Sequence, residues 1–301
     1  MIQPKALRRG DAVGVIAPAS SPDQRKLTRG IQFLQSLGLK VYLGRTVTEK
    51  QGYLAGSDQV RLGDLHEMFL NPYIRAVFCA RGGYGTARIA EGIDYDLIKC
   101  HPKIFWGYSD ITYLHMAIQK FTGLVTFHGP MIVSDFNSAA RFSFLQLFQP
   151  LGLAYNDRIS PLQVIAEGKR AGSLTGGNLT VLTDTIGTPF EIETIGKILV
   201  IEDVNEPVYR IDAMLQQLKS SGKFNGIQGV VIGDFTMDKD QEAYSKELDY
   251  FFRCFFQSAP FPVLSGFKFG HGRRNYGLAF GVNACIDTAG KLLTAEPGIQ
   301  L

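Results

Sequence analysis

The chain is poor in the features that mark several functional classes. Its four cysteines, Cys79, Cys100, Cys254 and Cys285, share neither metal-ligand nor CxxC spacing, which argues against both a disulfide framework and a structural zinc. Cys79 and Cys285 lie in apolar runs and are expected to be buried small hydrophobes. Excess charge of one sign is lacking: 31 Lys and Arg against 28 Asp and Glu leave a net charge of +3, no electrostatic basis for binding nucleic acid or an anionic membrane. No apolar run reaches the roughly 18 residues of a membrane span. The N-terminal stretch MIQPKALRRGDAVGVIAPAS has no signal-peptide apolar core ahead of its first expected strand, so a cytoplasmic location is expected. Internal repeats and low-complexity segments are also missing.

What is there is the composition of a folded protein, 45% hydrophobic and 20% charged. At 301 residues the chain is at the upper limit for a single core, and two domains are expected. In the first half, short continuous apolar runs alternate with helical patterns. AVGVIAPAS (12–20), LKVYLG (39–44), IRAVFCARGG (74–83) and 104–107 read as strands. Between them, 23–38 carries Leu27, Ile31, Leu34 and Leu37 at helical spacing and closes on Gly38, 57–71 is a helix capped by Ser57, and 85–93 starts another. A further helix is expected from about 110 to 121. This order predicts right-handed crossovers and a parallel sheet with helices on both faces, whose functional residues collect beyond the strands' carboxyl ends. The mixed, Pro- and Gly-containing stretch 151–172 is expected to connect an α/β domain at 1–150 to a second at 173–301. The second has strands at 197–203, 227–235, 262–272 and 276–287 and helices at 208–224 and 247–259.

Ser109, in KIFWGYSDITYLHMAI, falls between an apolar strand and an amphipathic helix. That corner suits either a helix cap or a nucleophile whose oxyanion would meet the following N–H groups. A nucleophilic serine needs a base. Of five histidines, His128 in TFHGPM and His271 in the glycine-flanked loop FKFGHGRRNYG are the candidates, whereas His66 is expected to be exposed, His101 to lie in a loop and His115 to point away from the helix start. A carboxylate must orient the base. KILVIEDVNEP offers Glu202 and Asp203 at a strand end and Glu206 beyond it, and these could equally cap the next helix. The glycine-rich stretches ARGGYGTA (80–87) and LTGGNLTVL (174–182) each run from a strand into a helix and could hold an anion, although neither matches a dinucleotide or Walker pattern.

Seven stretches in order, GVIAPAS, ARGGYGTARI, WGYSDITYLH, TFHGPM, GSLTGGNLTVL, LVIEDVNEPVYRIDAMLQQL and GFKFGHGRRNYGLAFGVNACID, resemble the motif set of the LD-carboxypeptidases, the S66 serine peptidases. The resemblance covers nearly the whole chain. It implies a Ser-Glu-His triad of Ser109, Glu202 and His271. It also implies an oxyanion hole made by the backbone N–H groups of Asp110 and of Gly83, with Gly82 the alternative. The implied architecture is an N-terminal α/β domain with a parallel sheet and flanking helices, a smaller mixed α/β domain carrying Glu and His, an active site in the interdomain cleft, and a homodimer. The implied substrate is a murein tetrapeptide cut between an L-centred diamino acid and the terminal D-alanine, without metal or cofactor. Arg81, Asn178 and Arg210 are candidates for substrate contacts. Two other readings are a hydrolase of a peptidyl-nucleotide antibiotic and a non-catalytic nucleotide- or peptide-binding module.

Overall fold

The computed structural model describes residues 1–301. In chain order the elements are β1 (Ala12–Ile16), α1 (Gln24–Ser36), β2 (Lys40–Leu43), α2 (Asp58–Leu70), β3 (Ile74–Cys79), α3 (Thr86–Ile89), α4 (Tyr95–Cys100), β4 (Ile104–Gly107), α5 (Thr112–Thr122), β5 (Thr126–His128) and α6 (Ser138–Leu145). They continue as β6 (Leu153–Asn156), β7 (Gln163–Ala166), β8 (Lys169–Asn178), α7 (Leu179–Asp184), β9 (Lys197–Val204), α8 (Val208–Ser220), β10 (Gly229–Thr236), α9 (Gln241–Phe256), β11 (Val263–Ser265), β12 (Leu278–Phe280), β13 (Asn283–Asp287) and β14 (Leu292–Ala295). No helix is long and apolar enough to cross a membrane.

The chain packs as two compact units, Met1–Leu151 with Tyr276–Gly281 and Pro297–Leu301, and Gly152–Asn275 with Val282–Glu296. The first unit holds a six-stranded sheet in the order β12-β5-β4-β3-β1-β2. Its five N-terminal strands are parallel, and β12 closes the edge antiparallel to β5. β1 and β4 are buried at every position, as strands covered on both faces must be. The core includes Phe78, Trp106, Phe127 and Phe144, with the Trp106 and Phe144 ring centroids 4.9 Å apart. Polar signals bound the helices. Asp23 and Ser57 cap α1 and α2 by accepting from Lys26 N and Val60 N, and Gly38 follows α1 with φ 86°.

The second unit is a mixed eight-stranded sheet, β6-β14-β13-β8-β9-β10-β11-β7, in which β8 to β11 run parallel and the flanking strands antiparallel. Its aromatic core includes Tyr155, Phe267 and Phe269, with Tyr155 Oη bonded to Ser160 Oγ at 2.8 Å.

Several local expectations differ from what is found. The stretch 151–172, expected as a connection, holds β6, β7 and the start of β8, all in the second sheet. The apolar run 276–287, expected as one strand, is broken at Gly281, whose φ is 95°, so that β12 enters the first sheet and β13 the second. α4 and α6 are short and lack a long periodic face. The helix expected over 85–93 is one turn of α followed by a 3-10 turn at Ala90–Gly92. Cys79 is buried, whereas Cys285 is half-buried.

Candidate active site

In the first unit the chain leaves β4 at Gly107 and turns sharply. Tyr108 is extended, Ser109 has φ 63°, and a 3-10 turn at Ser109–Ile111 runs directly into α5. The caps of that turn and of α5 are Tyr108 and Ile111, so Ser109 sits inside the turn rather than at a capping position. A non-glycine residue in the left-handed region costs about 1–3 kcal/mol and survives only where its surroundings impose it. Such a strand-to-helix elbow pushes the serine hydroxyl outward.

The surroundings that impose it are specific. A Cβ on Gly107 would lie 3.0 Å from both Cys79 Cβ and Ile111, so a side chain there would crowd the close approach of the strand end to the turn. The fully buried His115 bonds through Nε2 to the Gly107 carbonyl at 2.8 Å, which makes Nε2 the donor. Burial holds that imidazole neutral, pushed down to about 4 against a small opposing pull from its bond to Gly107. His115 therefore does not point away from the elbow as expected. It clasps the backbone two residues before the serine. Asp110 ties the other side: its buried carboxylate accepts from Thr86 N at 2.9 Å and its carbonyl from Thr86 Oγ1 at 2.7 Å, fixing the start of α3.

That link carries the glycine-rich loop across the serine. A Cβ on Gly82 would lie 2.9 Å from Ser109 Cβ and 3.1 Å from its Oγ. Gly83, with φ 101°, would place a Cβ 2.4 Å from Ser20 Oγ. Ser20 N donates to the Gly82 carbonyl at 3.1 Å. Arg81 is exposed, and its Nη1 donates to the Ser21 carbonyl at 2.8 Å. Ser20 ends the stretch GVIAPAS, where no residue type or spacing marks it for a site.

In the second unit Glu202 lies on β9 with no solvent exposure, and its Oε2 accepts from His271 Nδ1 at 2.6 Å. With the proton on Nδ1, a neutral His271 presents Nε2 as an acceptor. The loop depends on glycine. Gly270 has φ 113°, and a Cβ there would lie 2.3 Å from Glu202 Oε2. A Cβ on Gly272 would lie 2.1 Å from Asp234 Oδ2. Burial alone lowers the His271 pKa, but the charge and hydrogen bond of Glu202, helped by Asp203 and Asp234, outweigh it and hold it above its ordinary value of 6.5. Burial raises Glu202 in turn, against the pull of His271.

The three carboxylates differ in their partners. Asp203 accepts from Asn178 Nδ2 at 2.8 Å, Thr180 N at 2.9 Å, Thr180 Oγ1 at 2.8 Å and Val204 N at 2.8 Å, so it anchors the start of α7. Glu206 lies 3.7 Å from Arg210, which is half-exposed. Asn178 is buried, and its Oδ1 accepts from Val181 N as the cap of α7. It also favours the ionised form of Glu202, the smallest of the influences on that carboxyl. His128 is buried in the first unit against Tyr108 and Phe280. His66 is half-buried, and its Nε2 accepts from Asp94 N at 2.9 Å. His101 follows α4 and bonds the Leu97 carbonyl at 2.9 Å.

An elbow serine beside a glycine loop and a carboxylate-oriented histidine are the parts of a serine hydrolase. The LD-carboxypeptidase N-terminal domain model matches residues 13–129 and the LD-carboxypeptidase C-terminal domain model residues 171–286. A Bacillus subtilis (strain 168) protein named "Probable murein peptide carboxypeptidase" is 49% identical over 99% of this chain and 95% of its own length. A murein tetrapeptide carboxypeptidase of Pseudomonas aeruginosa is 33% identical over 91% of this chain and 92% of its own. The Escherichia coli microcin C7 self-immunity protein MccF is 27% identical over 92% and 91%. Among solved structures, the muramoyltetrapeptide carboxypeptidase from Oxalobacter formigenes superposes with a TM-score of 0.83 at 28% identity, covering 94% of this chain and 97% of that one. The chain belongs to the LD-carboxypeptidase family, the S66 peptidases.

Proposed function

We propose that the protein is a serine carboxypeptidase that releases the terminal D-alanine of murein tetrapeptides, cutting after the L-centre of the diamino acid. The reading rests foremost on the 2.6 Å bond from His271 Nδ1 to the buried Glu202, which sets the imidazole as a base. In this mechanism Ser109 Oγ attacks the scissile carbonyl and gives its proton to His271 Nε2. Glu202 holds the tautomer and stabilises the imidazolium. The N–H groups of Asp110 and Gly83 receive the developing oxyanion, each worth about 3 kcal/mol in sites of this kind. The imidazolium then protonates the leaving D-alanine amine. Water, activated by the same histidine, attacks the acyl ester, and Ser109 recovers its proton.

A carboxypeptidase must also recognise a free carboxylate, and the exposed guanidinium of Arg81, beside the glycine loop, suits that role. Arg210 is the candidate on the second unit, and Asn178 contributes by holding Glu202 and Asp203 in place. The same reading makes the protein a cytoplasmic homodimer acting on peptides recovered from the cell wall. Hydrolysis of a peptidyl-nucleotide is the other reading, and it draws on the more distant microcin immunity relative. A serine-directed acylating reagent should add one mass increment, at Ser109, and none to Ser109→Ala. Labelling that persists in Ser109→Ala would remove the serine from the mechanism.

A further inference from the structure

Beside the nucleophile the first unit displays two aromatic rings for which the triad has no use. Tyr84 stands between Gly83 and Gly85, whose φ values of 101° and 135° turn the chain outward at that residue. Its N–H donates to Ser20 Oγ at 3.3 Å. A Cβ on Gly85 would lie 2.6 Å from Leu54 Cδ2, so the turn carrying Leu54 is pressed onto the loop. That turn brings Tyr53 against Tyr84, with ring centroids 5.8 Å apart. Both rings nevertheless stay open to solvent, at 62% and 51% exposure. Behind them Asp58 is shared by two guanidiniums, the buried Arg61 and the exposed Arg88, leaving one net positive charge. Arg88 lies within electrostatic range of both phenols. Its Nε and Nη2 bond Asp58 at 3.1 and 2.9 Å, two of the five donors a guanidinium carries.

We propose that Tyr53, Tyr84 and Arg88 form a subsite for the stem peptide on the acyl side of the scissile bond, namely the γ-linked D-glutamyl residue and its free α-carboxylate. This rests on the carboxypeptidase reading above. The leaving D-alanine offers one methyl and one carboxylate, too little surface to cover two rings. The acyl side offers methylenes and amide planes that pack on aromatic faces, together with an anion that matches the residual positive charge. Such contacts lie away from the reacting atoms, so they act on how a long substrate is held.

The test compares kcat/KM for L-Ala-γ-D-Glu-meso-diaminopimelyl-D-Ala with that for Nα-acetyl-meso-diaminopimelyl-D-Ala, in the wild type and in Tyr53→Ala/Tyr84→Ala. The wild type should prefer the tetrapeptide by about tenfold or more. The double variant should lose most of that preference while hydrolysing the short substrate at the wild-type rate and unfolding at the wild-type temperature, since both rings are exposed. A variant that keeps the preference, or that loses activity equally on both substrates, overturns the subsite. If the wild type releases D-alanine from neither, the carboxypeptidase reading itself fails and the subsite falls with it.

Discussion

Replacing Glu202 by Gln keeps the shape of the side chain and removes its charge. The consequences can be worked from the site. Glu202 has no solvent exposure, so water cannot take over its role toward His271. The charge-assisted bond at 2.6 Å becomes a neutral one, a loss of about 1–2 kcal/mol in the bond itself. The larger loss falls on the transition state, where the imidazolium loses its buried counter-charge and the amide can favour the wrong tautomer. Carboxylate-to-amide changes in such triads cost about 10⁴-fold in kcat, or roughly 5 kcal/mol. The pH profile supplies an independent sign. In the proposed mechanism His271 acts only when neutral, and its pKa is held above 6.5, so wild-type kcat/KM should rise with pH through an apparent value above 6.5. Without the Glu202 charge, burial opposes protonation with only Asp203 and Asp234 against it, and the acid limb should move to lower pH. The assay is D-alanine release from the tetrapeptide between pH 5 and 9. A Glu202→Gln enzyme with near wild-type kcat, or with an acid limb that stays put or moves upward, would refute the reasoning.

The other expected outcomes are these. His115 is neutral in the fold with its pKa near 4, so the stability it contributes is complete above about pH 6.5 and is lost as pH falls toward 4. That difference is worth about 3 kcal/mol, and His115→Gln should flatten that part of the pH dependence in urea unfolding at pH 7 and pH 4.5. In Gly270→Ala the new methyl would sit 2.3 Å from Glu202 Oε2 in a backbone with φ 113°. The variant should lose about 2–4 kcal/mol of stability, or move the His271 loop off Glu202 with a loss of kcat of at least about 10³-fold, read by thermal unfolding and D-alanine release together.

The local geometry of the candidate site was partly legible in the sequence because its signals are local. The apolar run ending at Trp106-Gly107, followed at once by a helical pattern, placed Ser109 at a strand end. The glycines around His271 mark a loop with backbone room to place the ring. Residue type alone could not choose among Glu202, Asp203 and Glu206. That choice turns on which way each side chain leaves β9, and the pleat sends Glu202 to His271 while Asp203 gathers the start of α7. The clasp from His115 to Gly107 is not legible in the sequence, because helical spacing locates a residue around its axis but not how far its ring reaches back. The break of 276–287 into strands of two sheets was hidden for another reason. A continuous apolar run carries no sign of which sheet each half will join, and the change falls at Gly281, where φ is positive. The strands within 151–172 are edge or half-exposed, so their mixed composition read as a connection.

The most direct test of the account is D-alanine release from L-Ala-γ-D-Glu-meso-diaminopimelyl-D-Ala by the wild type and by Ser109→Ala, with the variant's fold checked by its unfolding temperature. Release by the wild type, lost by at least about 10⁴-fold in a folded variant, is the predicted result. Equal release by both would take Ser109 out of the chemistry, and release by neither would contradict the murein carboxypeptidase reading.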